Sequence, residues 1–272
     1  MSESRGIGMR RLEGKVAIVT GGGKGIGRGI SRRFAREGAS VVVAELDDEA
    51  GRSVASELEG LGGRGLFVRT DVSKKADVHA AVSASLDRFG RIDVLVNNAI
   101  TVSPNVLLEE KSDAHLEATL AVGLWSVWWG MHAVFPAMRA QGAGRIINFY
   151  SIDADAGAWF HADYNAAKGA VAALTRSAAA EWARFNILVN AVAPIAASHY
   201  YEGMVKANPG IAEAVRHMIP LGRVGDVEDD VAPTVAFLAS DDSKFVTGSI
   251  LPVDGGMHMP RMNTKPPGIG AA

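Results

Sequence analysis

Residues Thr20-Gly21-Gly22-Gly23-Lys24-Gly25-Ile26-Gly27 decide how this chain is read. They follow a short apolar run, 15–20, and lead into a stretch of helical period, 26–37. A buried strand, a glycine-rich turn and a helix in direct succession open a βαβ unit. Glycine serves there because a backbone without a Cβ can approach a pyrophosphate closely. The helix behind the turn offers unpaired N–H groups and a partial positive charge to phosphate.

Outward from that turn the alternation continues. Further strands are expected at 40–45, 65–69, 93–96, 144–150, 187–192 and 249–252, most of them rich in Val and Ile without polar alternation. Such strands are covered by helices on both faces. Helical stretches are expected at 48–61, 74–89, 113–138, 164–183 and 227–239, with Asp226 and Asp229 marking the start of the last and Pro136 bending or ending the long one. The fold class is therefore α/β, a single doubly wound parallel sheet of Rossmann type with helices on both faces. One domain over 12–256 is expected, with a polar arm at 1–11 and an extended tail at 257–272 holding Pro260, Pro266 and Pro267. Segment 195–220 interrupts the alternation and reads equally as a lid or as a surface excursion.

Composition narrows the function. The 272 residues carry 28 basic and 30 acidic side chains, so no basic excess points to nucleic acid or an anionic membrane. There is no cysteine, which excludes disulfides, thiolate chemistry and Cys-ligated metals. Seven histidines show no paired spacing, and no metal site is expected. The polar N-terminal arm lacks the apolar core of a secretory signal and the first apolar run is too short to span a bilayer, so a cytoplasmic protein is expected.

The second strand ends at Glu45-Leu46. A carboxylate there can accept from ribose hydroxyls and repel a 2′-phosphate, which favours NAD; Lys24 in the glycine turn argues the other way and leaves NADP open. A solvated strand-end carboxylate is the plainer reading of Glu45. Tyr164-Asn165-Ala166-Ala167-Lys168 places a phenol and an ammonium one helical turn apart. A neighbouring cation lowers the phenol's ordinary value of about 10, so Tyr164 can exchange a proton with an alcohol or carbonyl oxygen. Ser151, just past an apolar strand, lies on the sheet edge where ligands bind. Tyr and Lys at that spacing are common on solvated helices, and the weight rests on their company.

In that company the chain resembles the short-chain dehydrogenase/reductase family. The glycine turn, Asp71-Val72, Asn97-Asn98-Ala99, Ser151, Tyr164, Lys168 and the closing Val253-Asp254-Gly255-Gly256 stand in family order. The resemblance implies hydride transfer between a nicotinamide dinucleotide and a secondary alcohol or ketone, with Ser151, Tyr164 and Lys168 catalytic. It implies a cofactor site of Gly21, Gly23, Lys24, Gly25, Ile26, Gly27, Glu45, Leu46, Asp71, Val72, Asn98, Ala99, Tyr164, Lys168 and Pro194, in which Asp71 and Val72 flank the adenine, Asn98 and Ala99 line the adenosine and ribose channel, and Lys168 holds the nicotinamide ribose. It also implies a homo-oligomer, a dimer or tetramer.

The chain departs from the family pattern in three places. Ile100 stands where glycine is usual and should narrow the nicotinamide end. Gly123 stands where the family carries an asparagine that stabilises a helix bulge, so a weakened proton relay is expected. Ile195 replaces glycine after Pro194, and His199 replaces a threonine that contacts the carboxamide, with Ser198 adjacent as a substitute. Asp153, Trp159, His161, His199, Tyr200 and Met204, with Phe160 and Tyr201, flank the expected substrate entrance and suggest an apolar or ring-containing substrate; each alone is more often scaffolding. Asp155 is grouped with Asp153 as a loop acid. Trp125, Trp128 and Trp129 fit either a subunit interface or, for Trp128 especially, the core. The departures keep open a non-catalytic dinucleotide-binding protein. A reductase of carrier-linked 3-oxoacyl chains also stays open, although no basic docking patch stands out.

Overall fold

The computed structural model describes residues 10–259. Seven parallel strands form one sheet in the order β3-β2-β1-β4-β5-β6-β7: β1 Val16–Thr20, β2 Ser40–Glu45, β3 Arg64–Arg69, β4 Val94–Asn97, β5 Gly144–Phe149, β6 Ile187–Pro194 and β7 Ile250–Val253. Between them lie α1 Gly25–Arg36, α2 Asp48–Gly60, α3 Lys75–Phe89, α4 Asp113–Leu120, α5 Ser126–Gln141, α6 Asp153–Ala156, α7 Ala162–Trp182, α8 His199–Ala207, α9 Gly210–Met218 and α10 Ala232–Ala239.

The pleat explains why the strands are apolar throughout. In β2, Val41 and Val43 point into one core with Ala17 and Val19 of β1. Val42, Ala44 and Ile18 point into the other. Side chains alternate between faces, so a sheet covered on both sides needs most positions on each face apolar. The first core is closed by α1 (Ile30, Phe34), α2 (Val54, Leu58) and α10 (Val235, Leu238). The second is closed by α3 (Ala81, Val82), α5 (Met131, Val134, Met138) and α7 (Val171, Ala178).

The strand order reverses direction between β1 and β4. Their C-terminal ends therefore part and leave a crevice, the usual ligand position in open α/β sheets. The glycine turn leaves one of these ends and Asn98-Ala99 the other.

Several expectations are corrected. α5 runs past Pro136 to Gln141 and stops where Gly142 adopts φ 66°. A proline removes only one helical hydrogen bond, and Met138, fully buried beyond it, anchors the last turn. β6 extends to Pro194 because Pro194 pairs with Val253 of β7. Between α4 and α5 the chain forms a π-helical turn, Ala121–Trp125, centred on Gly123. A Cβ on Gly123 would lie 3.1 Å from the Ala167 side chain, so the missing family asparagine does not remove the bulge but lets α7 pack closely against it. Trp128, expected in the core, is 41% exposed, and Trp125 is 47% exposed. Asp226 caps a second π-helical turn, Val227–Val231, ahead of α10, accepting from the amides of Glu228 and Asp229.

Among the described residues, Asp113–Gln141 is the one stretch long and apolar enough to cross a membrane by length and composition. Here its Val127, Met131, Val134 and Met138 fill the core. Segment 195–220 contains α8 and α9. Apart from Arg10, Arg11 and Met257 to Met259, the expected arm and tail fall outside the described residues.

Candidate active site

The crevice is a cavity of about 510 Å3, within the roughly 300–1,000 Å3 of small-molecule sites. Its wall includes Gly21, Lys24, Gly25, Ile26, Glu45, Leu46, Asp71, Val72, Asn98, Ala99, Ser151, Tyr164, Lys168 and Pro194. Every residue expected at the cofactor site is present except Gly23 and Gly27. Those two glycines satisfy the protein itself. A Cβ on Gly27 would sit 2.0 Å from the Gly21 carbonyl oxygen, and one on Gly23 would sit 2.7 Å from Glu45 Cγ. Close approach is thus required within the turn as well as toward a ligand. Gly21, at φ 63°, adopts a left-handed conformation that suits glycine.

Asn98 braces the turn. Its side-chain amide donates to the carbonyls of Thr20 at 2.9 Å and Gly21 at 3.3 Å. Thr20 Oγ1 accepts from the amides of Asn98 and Ala99. β4 is tied in this way to the end of β1. Below, Asn97 donates to Asn148 and Asn148 to Thr175, a buried polar chain with both bonds at 2.9 Å.

At the β2 end, Glu45 is 9% exposed and well bonded. One oxygen accepts from Gly23 N at 3.0 Å, the other from Leu46 N at 2.9 Å and Asp47 N at 3.1 Å. Asp71 is held by Ser73, whose hydroxyl donates at 2.6 Å, and this bond with nearby Lys74 keeps its carboxyl below the ordinary range. α1 begins at Lys24 without a side-chain cap and without an acidic residue in its first turn. Its first N–H groups are therefore not satisfied by any cap, and the helix end suits a pyrophosphate.

The opposite end carries the hydroxyl chemistry. α7 starts at Ala162, so Tyr164 lies in its first turn and Lys168 one turn further. The Lys168 ammonium stands 5.6 Å from the centre of the Tyr164 ring. It donates to the Phe149 carbonyl at 2.7 Å, and burial pulls its pKa from 10.5 down to about 8. Ser151 Oγ accepts from Asp153 N at 3.2 Å, a bond that leaves the hydroxyl's own proton available for donation. Tyr150 also walls the cavity, but it is a different kind of phenol. Burial, with its 2.7 Å bond to Asp155, pushes it up to about 12. Tyr150 therefore holds its proton more firmly than an ordinary phenol. Asp155, grouped with Asp153 as a loop acid, is exposed and accepts from Tyr150.

Of the expected substrate residues, Asp153, Trp159, His161 and Met204 are not part of this wall. Asp153 donates its backbone amide to Ser151 Oγ, while its carboxylate meets His161 Nδ1 at 3.1 Å. The His161 ring lies edge-on to Tyr164 at 5.8 Å. Trp159 is 77% exposed, and Phe160 holds an uncommon φ of 65°. Met204 is half-buried on α8. His199 and Tyr200 open that helix, and their side chains fall outside what is described. Ser198 walls the cavity while capping α8 through Tyr201 N. Ile100 walls it too and is half-exposed. Thr70, Thr101, Val122 and Phe149 also contribute to the wall without a local sequence signal.

A buried ion pair lies just behind the phenol and went unread in the sequence. Lys111 Nζ stands 2.9 Å from Asp163, and both side chains are almost wholly buried. Thr119 donates to the same carboxylate at 2.7 Å. Lys111 also donates to Ser103 and to the Pro104 carbonyl, which pins the loop after β4 to the start of α7. Among the described residues no cluster could hold a metal ion.

Comparison with known proteins agrees with this geometry. A family model described as enoyl-(acyl carrier protein) reductase matches residues 21–258. The chain is 36% identical over 251 residues to a 2,5-dichloro-2,5-cyclohexadiene-1,4-diol dehydrogenase of Sphingobium indicum, covering 90% of this chain and 97% of that one. It is 37% identical over 245 residues to the cyclohexanol dehydrogenase of an Acinetobacter species, covering 90% and 95%. The solved 3-ketoacyl-(acyl-carrier-protein) reductase of Brucella melitensis, complexed with NADH, superposes with a TM-score of 0.84 at 34% identity, covering 91% of this chain and all of that one. With its sheet, glycine turn and clustered Ser151, Tyr164 and Lys168, this chain belongs to the short-chain dehydrogenase/reductase family of oxidoreductases.

Proposed function

We propose that the protein is an NAD(H)-dependent dehydrogenase of cyclic secondary alcohols or diols, with Ser151, Tyr164 and Lys168 as its catalytic residues. The observation that carries the reading is convergence: the three side chains and the glycine turn wall one cavity. A bound nicotinamide would supply the hydride acceptor in oxidation and the donor in reduction. Ser151 donates to the substrate oxygen and fixes its position. Tyr164 takes the hydroxyl proton in oxidation and returns it in reduction. The Lys168 ammonium favours the phenolate by proximity. The carboxylate of Glu45, the N-terminus of α1, Asp71 and Val72 would hold the adenosine and pyrophosphate portion. Glu45 argues for NAD over NADP.

The ring-shaped substrate is drawn from the relatives' names and is supported by the exposed Trp159 and Phe160 beside the Ser151 loop. Segment 195–220, carrying α8 and α9, would act as a lid over the single domain. We place the protein in the cytoplasm, to which a cysteine-free composition is suited, as a dimer or tetramer. The exposed Trp125 and Trp128 on the α5 side support pairing.

The test is Tyr164→Phe, assayed with NAD and cyclohexanol or cyclohexane-1,2-diol. Turnover should fall by about 10²–10⁴-fold, the contribution of a positioned acid–base group. NADH binding, followed by tryptophan quenching, should move less than about threefold, since no base contact is lost. Undiminished turnover would remove Tyr164 from the mechanism. Binding without turnover in the unaltered protein, across alcohols and ketones, would mark a non-catalytic member of the fold. Turnover confined to 3-oxoacyl thioesters would instead support the carrier-linked reading, which the solved relative's name keeps in view.

A further inference from the structure

We infer that Asp47 withholds Lys24 from a 2′-phosphate and so acts with Glu45 in deciding which dinucleotide this site takes. The inference rests on the proposed dinucleotide site and adds a residue to it. Two basic side chains wall the cavity, Lys24 and Lys168. Lys168 is buried at the far end against the Phe149 carbonyl, which leaves Lys24 as the cation at the Glu45 end.

Lys24 is half-exposed, on a flexible four-carbon stem, and by itself would draw a phosphate dianion into that corner. It is not by itself. Its ammonium lies 2.6 Å from Asp47 Oδ2. Asp47 is held firmly for this purpose, because its other oxygen caps α2 by accepting from Ala50 N at 3.0 Å. Glu45, fixed by three backbone amides, adds a second carboxylate beside it. Other nearby bases are engaged as well: Arg69 and Arg52 lie 3.2 and 3.6 Å from Asp48. A 2′-phosphate entering here meets two anchored carboxylates and a cation already neutralised. Adenosine with a free 2′-hydroxyl meets the acceptor oxygens of Glu45 and brings no charge for the carboxylates to repel.

The geometry also supplies a clean variant. Asparagine caps a helix as well as aspartate does, so Asp47→Asn keeps α2 capped while removing the charge that holds Lys24. Dissociation constants for NADH, NADPH and 2′,5′-ADP are to be measured by calorimetry on the unaltered protein, Asp47→Asn, Lys24→Met and the double variant. In Asp47→Asn the preference should move toward NADPH by about tenfold, the low end for a charge-assisted contact in a half-exposed site. 2′,5′-ADP should tighten with it. In the double variant the preference should return to within about threefold of its starting value, because the gain depends on the freed ammonium. An unchanged preference in Asp47→Asn overturns the inference. So does a gain that survives in the double variant, which would reflect lost repulsion alone. If the unaltered protein prefers NADPH or binds neither dinucleotide, the proposed cofactor fails on that arm, and the masking role falls with it.

Discussion

Replacing Lys168 with methionine should leave the cofactor-free protein as stable as before, or more so, while removing its activity. The ammonium is 3% exposed, and burial alone brings its pKa from 10.5 to about 8. One pKa unit corresponds to about 1.4 kcal/mol, so holding Lys168 charged costs the folded state about 3 kcal/mol at pH 7. Methionine preserves most of the stem but leaves the Phe149 carbonyl without its donor, a loss of about 1–3 kcal/mol. The net lies between about zero and 2 kcal/mol in favour of the variant. The sharper signal is its pH dependence. Between the two pKa values the unfolded chain binds a proton that the folded chain has released, so stability rises with pH. From pH 7 to 10 the unaltered protein should gain about 2–3 kcal/mol on Lys168→Met, or about 4–5 °C in unfolding midpoint at this size. Urea or thermal unfolding of both proteins across that range, without cofactor, measures the difference directly. Comparison with the variant cancels groups common to both, including Tyr150, which acts in the opposite direction above pH 10. A gap that stays constant from pH 7 to 10 would show that burial does not lower the Lys168 pKa, and the expectation that the charged ammonium costs the folded state stability would fail.

Two glycines should respond in opposite senses. Gly27→Ala must push its Cβ through the Gly21 carbonyl, so it should cost about 1–3 kcal/mol or more and weaken NADH binding; unfolding and titration unchanged from the unaltered protein would contradict the turn geometry. Gly169→Ala, on the exposed face of α7 with nothing within 4 Å of the new atom, should stabilise by about 0.5–1 kcal/mol, read from the same unfolding curves. Lys111→Met strands the buried Asp163 carboxylate and should cost about 3–5 kcal/mol, whereas Lys111→Met with Asp163→Leu should recover much of that; equal losses in both would mean the pair is not coupled.

What the sequence determined by itself is the part written in short range. Strand and helix positions, the glycine turn, Glu45 at a strand end, and Tyr164 four places before Lys168 follow from periods of 2 and 3.6 and from the special backbone of glycine. Each of these needs only neighbours along the chain. The tertiary structure decided what depends on partners far apart and on burial: Asn98 bracing the turn through Thr20, Lys111 meeting Asp163 behind the phenol, Tyr150 held protonated by burial and its bond to Asp155, and Asp47 closing on Lys24. It also set Trp128 on the surface and carried α5 past Pro136, because packing against the sheet outweighs one missing helical bond. A residue's type announces what it can bond, but burial and the arrival of a distant partner settle whether it does, and those are properties of the folded chain alone.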